Sequence, residues 1–236
     1  MAKVIFNKQI DDSYFLIKTD TKEEALPGQF YMLRAWDKYP TLSRPISIYD
    51  KDPEGTSFLI EKIGPGTQIL SKLKAGNEIK VYGPYGNSFN YENIKSVALI
   101  GGGVGTAPFY YLAKTIRKHN PQAQIDFYIG ERENQNLEDA FQDLRILKVN
   151  LKIKKGGLIT DIIQYDKDLI YACGPDPMMK AVKEQALKNK KEIYLSLDKR
   201  MGCGLGACLS CTCKTKEGNK RSCKEGPIFK GSDLIE

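Results

Sequence analysis

The chain has 236 residues, with 36 Lys and Arg against 29 Asp and Glu, and 41% of it is hydrophobic. That length allows two compact domains plus a small module, and the composition is that of an ordinary globular protein. The net charge of +7 comes from scattered lysines, densest at Lys180, Lys183, Lys188, Lys190 and Lys191; no nucleic-acid motif accompanies them, no apolar run could span a membrane, and no segment reads as a signal peptide.

Residues 1–90 read as β structure. Strands are expected at Lys3–Gln9, Tyr14–Thr19, Gln29–Arg34, Pro45–Tyr49, Ser57–Lys62 and Glu78–Tyr82, separated at short intervals by Gly, Pro and Asp turns. Six short strands at this spacing predict a small antiparallel barrel. One helix interrupts them, with Thr67 as N-cap, Ile69, Leu70 and Leu73 on one face, and Gly76 as its stop. The stretch Gly83-Pro84-Tyr85-Gly86-Asn87 marks the boundary.

Residues 91–198 then alternate. Strands are expected at Ser96–Ile100, Gln124–Gly130, Asn150–Lys154, Asp168–Ala172 and Glu192–Leu197. Helices are expected at Ala107–Lys118, Leu137–Leu147, Thr160–Tyr165 and Pro177–Asn189. Such alternation predicts a parallel α/β sheet covered on both faces. The fold class is therefore mixed β and α/β, with a small module at 199–236.

That module holds Cys203-x4-Cys208-x2-Cys211-x11-Cys223, the plant-type [2Fe–2S] spacing. Three thiols come from a glycine-rich loop, and a hairpin over Thr212–Ser222 returns the fourth. A four-cysteine zinc site or a disulfide pair are the other uses of such residues, but zinc sites usually carry two C-x2-C knuckles. Cys213 lies two residues past Cys211, on the same face of a strand, and reads as a small buried residue. His119 is the single histidine, which excludes a Rieske-type centre.

Four further motifs suit nucleotides. In Val97-Ala98-Leu99-Ile100-Gly101-Gly102-Gly103-Val104-Gly105-Thr106 a glycine loop leads from strand to helix, where N–H groups cradle phosphate. Gly103 and Gly105 fit G-x-G-x-x-G, while Pro108 holds the third place, so a plain tight turn is the competing reading. Tyr171-Ala172-Cys173-Gly174-Pro175 ends a later strand, and Cys173 is either a site residue or a buried filler. Arg44-Pro45-Ile46-Ser47 offers a guanidinium for a diphosphate and a hydroxyl for a ring nitrogen, and Gly66-Thr67 opens a helix. Arg44 as plain surface charge and Thr67 as cap alone remain open.

Together these motifs resemble the ferredoxin–NADP reductase superfamily of flavoenzymes. With Met201-Gly202-Cys203-Gly204-Leu205-Gly206-Ala207-Cys208 added, the whole chain resembles the family of electron-transfer subunits of dihydroorotate dehydrogenase B. The resemblance implies an FAD barrel over 1–90, an NAD-binding domain over 91–198 and a [2Fe–2S] module over 199–236. It implies that Arg44, Pro45, Ile46 and Ser47 bind FAD, as do Ile60, Glu61, Lys62, Gly66 and Thr67. Gly102, Gly103, Val104, Gly105 and Thr106 would bind the NAD phosphates. Ser47 would meet Cys173 and Gly174 where isoalloxazine and nicotinamide touch. Cys203, Cys208, Cys211 and Cys223 would hold the cluster. Two departures stand out: family members are commonly basic or aromatic where this chain has Ile60-Glu61-Lys62, and Lys152–Asp161 is short.

The implied role is a relay in pyrimidine biosynthesis. A flavin-containing catalytic subunit, in a heterotetramer of two of each, oxidises dihydroorotate; this oxidoreductase subunit passes the electrons through [2Fe–2S] and FAD to NAD+. No residue here reads as a base for dihydroorotate. Flavin and iron–sulfur subunits of NAD(P)H–ferredoxin oxidoreductases or cytosolic hydrogenases share these cofactors and form the alternative. Gly130-Glu131-Arg132-Glu133-Asn134, where ribose 2′ selection is expected, offers both an acid and an arginine, leaving NAD against NADP open. So many unpaired thiols imply a reducing, cytoplasmic setting.

Overall fold

The computed structural model describes residues 1–235. Its first sheet is antiparallel throughout and contains β1 (Ala2–Gln9), β2 (Tyr14–Thr19), β3 (Phe30–Arg34), β4 (Arg44–Ser47), β5 (Asp50–Asp52), β6 (Gly55–Glu61) and β7 (Glu78–Tyr85) in the order β4-β3-β7-β1-β2-β6-β5. Alternating residues Phe15 and Ile17, Tyr31 and Leu33, Phe58 and Ile60 all point to one buried core. A fully buried Phe such as Phe58 contributes about 1.5–3 kcal/mol. Helix α1 (Pro65–Ser71) plugs this core with Leu70.

The sheet has seven strands where six are expected. The extra one, β5, reads Asp-Lys-Asp, a composition with poor strand propensity; its hairpin register with β6 holds it in place. Gly64, not Thr67, caps α1, and the Thr67 hydroxyl reaches back to it.

The second sheet follows the expected alternation. β8 (Ser96–Gly102), β9 (Gln124–Glu131), β10 (Asn150–Lys155), β11 (Leu169–Cys173) and β12 (Glu192–Ser196) are parallel, in the order β10-β9-β8-β11-β12. Helix α2 (Pro108–His119) buries Phe109, Leu112, Ala113 and Ile116, the i, i+3, i+4, i+7 stripe of an amphipathic helix. Helix α3 (Asp176–Lys188) buries Met179, Val182 and Ala186. The helices expected at Leu137–Leu147 and Thr160–Tyr165 are instead 3₁₀ turns, at Leu137–Arg145 and Ile159–Asp161. Gly156 and Gly157, both at positive φ, turn the chain directly after β10 and lead into the second.

The C-terminal segment forms the expected hairpin, β13 (Thr212–Thr215) with β14 (Gly218–Arg221). It then sends β15 (Ile228–Lys230) antiparallel onto β12, so the second sheet is mixed, with one antiparallel edge. Asn87 fixes this return. Its amide donates to the carbonyls of Ile228 (2.8 Å) and Glu225 (3.2 Å) and accepts from the Ile228 N–H (3.0 Å).

The two sheets are tied directly. Tyr49 stacks on Tyr110 at 4.2 Å, Lys114 pairs with Asp50 at 2.7 Å, and Tyr111 donates to the Ala25 carbonyl at 3.0 Å. Among the described residues no helix is long and apolar enough to cross a membrane. Replacing Asn87 by Ala strips two backbone groups of Ile228 of their partner. The expected cost is about 2 kcal/mol, read as an earlier urea midpoint.

Candidate functional site

Two loops meet at the carboxyl ends of β8 and β11. The glycine loop turns through a 3₁₀ segment, Gly103–Thr106, locked by Thr106 Oγ1 donating to the Gly103 carbonyl at 2.8 Å. A Cβ on Gly105 would lie 2.5 Å from the Cys173 carbonyl oxygen and 2.7 Å from Gly174 Cα, so only glycine lets the loops touch. Gly102, Gly103, Val104 and Gly105 are partly exposed. The structure thus brings together two motifs far apart in sequence, at the strand ends where parallel folds bind nucleotides. A shallow hollow of about 490 Å³ lies at the other ends of β8 and β11, around Ser96 and Asp168, and takes no part in this site.

Cys173 is buried, opposite Ser196 of the neighbouring strand. Burial pushes its thiol up to about 12, and the nearby Asp198 carboxyl adds to the effect. At neutral pH burial therefore keeps it an uncharged thiol.

Residues beyond the motifs complete this cleft. Tyr14 is buried with its hydroxyl 3.5 Å from Gln135 Oε1, and a Cβ on Gly103 would stand 3.5 Å from the same hydroxyl. Asp11 accepts the Asn136 N–H at 2.9 Å. Glu61 shares this neighbourhood; burial raises its carboxyl, the Arg132 guanidinium lowers it, and Asp11 raises it further. In sequence Tyr14 is indistinguishable from a core strand residue, and only the packing of β2 against the 131–136 loop gives it a second role.

Glu131 is not the free acid its position suggests. Its side chain is fully buried, accepts the Glu138 N–H at 3.2 Å and lies 3.3 Å from Lys155 Nζ. Burial raises its carboxyl, with Lys155 opposing. Arg132 beside it is exposed.

On the first sheet, Arg44 and Ser47 begin and end β4, opposite Leu33 and Phe30. A Cβ on Gly66 would fall 2.8 Å from Arg44 Nε and 2.9 Å from Trp36, so the guanidinium lies against the start of α1. A cation at the N–H groups that open α1 is the donor set a diphosphate needs, so these residues fit FAD. Thr67 Oγ1 accepts from the N–H groups of Ile63 (3.0 Å) and Gly64 (3.2 Å), so its hydroxyl is committed to its own turn. Ile60 is buried in the core, which leaves its backbone for contacts; Glu61 and Lys62 are partly exposed.

The cysteine loop packs on the same sheet. Met201, Cys211 and Cys223 are buried with Phe30 and Met32 in one apolar cluster edged by Tyr85. Gly204, at φ +73, passes so close that a Cβ would stand 2.8 Å from Met32 Cγ. Cys211 Sγ and Cys223 Sγ are 3.2 Å apart. Cys203 Sγ accepts the N–H groups of Leu205 (3.3 Å) and Cys208 (3.4 Å), and the Cys203 and Cys208 side chains also interact. Among the described residues no three His, Cys, Asp or Glu side chains converge as ligands of one ion would. Two pairs of thiols, Cys203 with Cys208 and Cys211 with Cys223, are what a binuclear cluster takes instead, so these residues fit [2Fe–2S]. Cys213 is buried as expected but does not share the face of Cys211. It packs with Ile193 and Leu195 beneath the second sheet, because Cys211 precedes the first residue of β13.

Comparison with known proteins places these features. The iron–sulfur cluster binding domain of dihydroorotate dehydrogenase B matches residues 198–235. The chain is 46% identical over 241 residues to the dihydroorotate dehydrogenase B (NAD(+)) electron transfer subunit of Clostridium acetobutylicum, covering 100% of this chain and 96% of that one. It is 37% identical to the subunit of the same name from Clostridium perfringens, over 99% and 96% of the two chains. Among solved structures, an NADH-dependent reduced ferredoxin–NADP oxidoreductase superposes with a TM-score of 0.88 at 28% identity, over 100% of this chain and 90% of that chain.

The thiols differ in readiness to ionise. Hydrogen bonding from Ser210 brings Cys208 down to about 6, whereas burial first, then Cys211, pushes Cys223 up to about 12. In the metal-free protein, iodoacetamide therefore labels Cys208 first. Its rate rises with pH through about 6 and then levels, while Cys223 stays unlabelled at neutral pH; peptide mapping across a pH series measures both.

Proposed function

The chain belongs to the family of dihydroorotate dehydrogenase B electron transfer subunits, and from that premise we propose how its residues serve the passage of electrons from a flavin-containing catalytic partner to NAD+ in pyrimidine biosynthesis. When bound, [2Fe–2S] moves single electrons, FAD exchanges one or two, and nicotinamide takes a hydride, so the three in series join both regimes. The division of labour assigns the barrel of 1–90 to FAD, 91–198 to NAD and 199–236 to the cluster. Two such chains with two catalytic subunits form the assembly, and its setting is the cytoplasm.

The protein's own work is binding and orientation. Arg44 neutralises the flavin diphosphate at the start of α1, with the N–H groups of Gly66 and Thr67 adding donors. Pro45, Ile46 and Ser47 line the isoalloxazine edge, Ser47 through its hydroxyl. Ile60, Glu61 and Lys62 contribute from the neighbouring strand, Ile60 through its backbone. Gly102, Gly103, Val104, Gly105 and Thr106 cradle the NAD phosphates. Cys173 and Gly174 form the floor under the nicotinamide, and the uncharged thiol keeps a negative charge away from the hydride path. Cys203 and Cys208 hold one iron, Cys211 and Cys223 the other. The aromatic and Met residues of β3 shield the second pair from water.

One observation carries this reading. The cysteine loop rests on Phe30 and Met32 of β3, and β3 pairs residue for residue with β4, Phe30 with Ser47 and Met32 with Pro45. Cluster and flavin contacts are thereby one strand apart. The test is to purify the chain anaerobically and assay iron, sulfide, flavin and zinc on one sample. About two irons, two sulfides and one FAD per chain are expected; zinc with neither sulfide nor flavin would sink the reading.

Two substitutions separate the parts. Cys208→Ser abolishes electron flow from the catalytic partner to NAD+ but spares NADH oxidation with an artificial acceptor; survival of both activities would contradict the relay. Arg44→Ala lowers the flavin retained on purification, measured by absorbance after gel filtration.

A further inference from the structure

We propose that Arg221 and Glu225 form a charged clasp that closes the cysteine cage and tunes the cluster within it, an inference that rests on the [2Fe–2S] reading above. Neither residue belongs to the cysteine motif, although Arg221 pairs with Thr212 at the end of the hairpin.

The geometry is specific. Arg221 ends β14, two residues before Cys223. Its Nε donates to Glu225 Oε2 at 3.0 Å and its Nη2 donates to Glu225 Oε1, a bidentate fork. The Arg221 backbone N–H donates to the same Oε2 at 2.7 Å. Its carbonyl accepts from the N–H groups of Lys224, Glu225 and Gly226 at 3.1, 2.9 and 3.2 Å. Side chain and backbone together therefore wrap the turn that carries the fourth thiol.

The remaining guanidinium nitrogen reaches the other segment. Nη1 donates to the Gly206 carbonyl at 2.9 Å, in the loop that carries Cys203, Cys208 and Cys211. The N–H of that same peptide unit belongs to Ala207, between the Leu205 and Cys208 N–H groups that donate to the Cys203 sulfur. A cation pulling on a carbonyl strengthens the N–H donor at the far end of the peptide. One side chain thus ties the three-thiol loop to the turn of the fourth thiol, and sets its positive charge on a peptide unit that lies between two amides donating to a ligand sulfur.

The clasp's two side chains carry opposite charges beside the thiols, which makes the role testable by potential as well as by retention of metal. Outer partners that orient ligands cost about 10- to 100-fold in metal affinity when removed. In the full-length chain, Arg221→Gln should speed iron release to a chelator by about 10- to 100-fold and shift the cluster midpoint potential down, since a nearby positive charge is lost. Glu225→Gln should also speed release but shift the potential up. Arg221→Lys, which keeps the charge without the fork, should release iron faster at a potential close to that of the unaltered chain. A redox titration followed by EPR and a chelation time course read both quantities. Shifts of the same sign in the two Gln variants, or no change in either quantity, would overturn the clasp while leaving the cluster in place. An unaltered chain that binds no iron and sulfide would remove the cluster reading and the clasp with it.

Discussion

The contact on which the rest of this molecule depends is apolar: Met201, Cys211 and Cys223 packed against Phe30 and Met32. It seats a loop of otherwise irregular backbone on a hydrogen-bonded sheet. The seat also decides which strand lies under the cage. β3 holds the cysteine loop on its side chains and β4 along its backbone, so it is a common wall between two sites. Packing of this kind is dense and changes shape little, which suits a part that must hold distances rather than move. The ties across the two sheets, through Tyr49, Tyr110 and Lys114, extend that rigidity to the glycine loop.

The cysteines show how strongly position governs a single side-chain chemistry. Cys173 and Cys223 are both pushed up to about 12 by burial, while Cys208, exposed and hydrogen-bonded by Ser210, sits near 6. A metal ligand must be a thiolate, so filling the cage displaces the proton of Cys223 and metal binding grows stronger as pH rises. Cys173 has no such partner, and its proton stays.

Much of this was legible in the sequence, and the physical reasons differ by element. The cysteine spacing was legible because a cluster constrains ligands within one short segment. The parallel strands were legible because burial on both faces makes them continuous apolar runs, as in Val97–Ile100. β5 was not, since its Asp-Lys-Asp composition carries no strand signal and it exists only as the partner of β6. The 3₁₀ turn at Leu137–Arg145 keeps the buried set Leu137, Ala140, Phe141 and Leu144, so the burial pattern was visible while the winding was not. Glu131 misled for another reason. Its place at the end of β9, where ribose selection is expected, offers an acid, but Lys155 and the Glu138 N–H, both supplied by other segments, take up its carboxylate. Tyr14 and Asp11 were invisible because their part in the cleft comes from the docking of one sheet on the other.

The position of β15 has a consequence for how the chain is made. Domains emerge from the ribosome and fold from the amino end onward. The seven strands of the first sheet and the five parallel strands of the second are all complete before Cys223 is synthesised. The fourth thiol, the Asn87 contacts and the edge strand then arrive together, within the last residues of the chain. A nascent chain can therefore own finished nucleotide and flavin folds while its cysteine loop is still open. A chain that stops between Ser196 and Cys223 has both sets of strands yet lacks the fourth thiol, so the cage closes only after the sheets that support it can form.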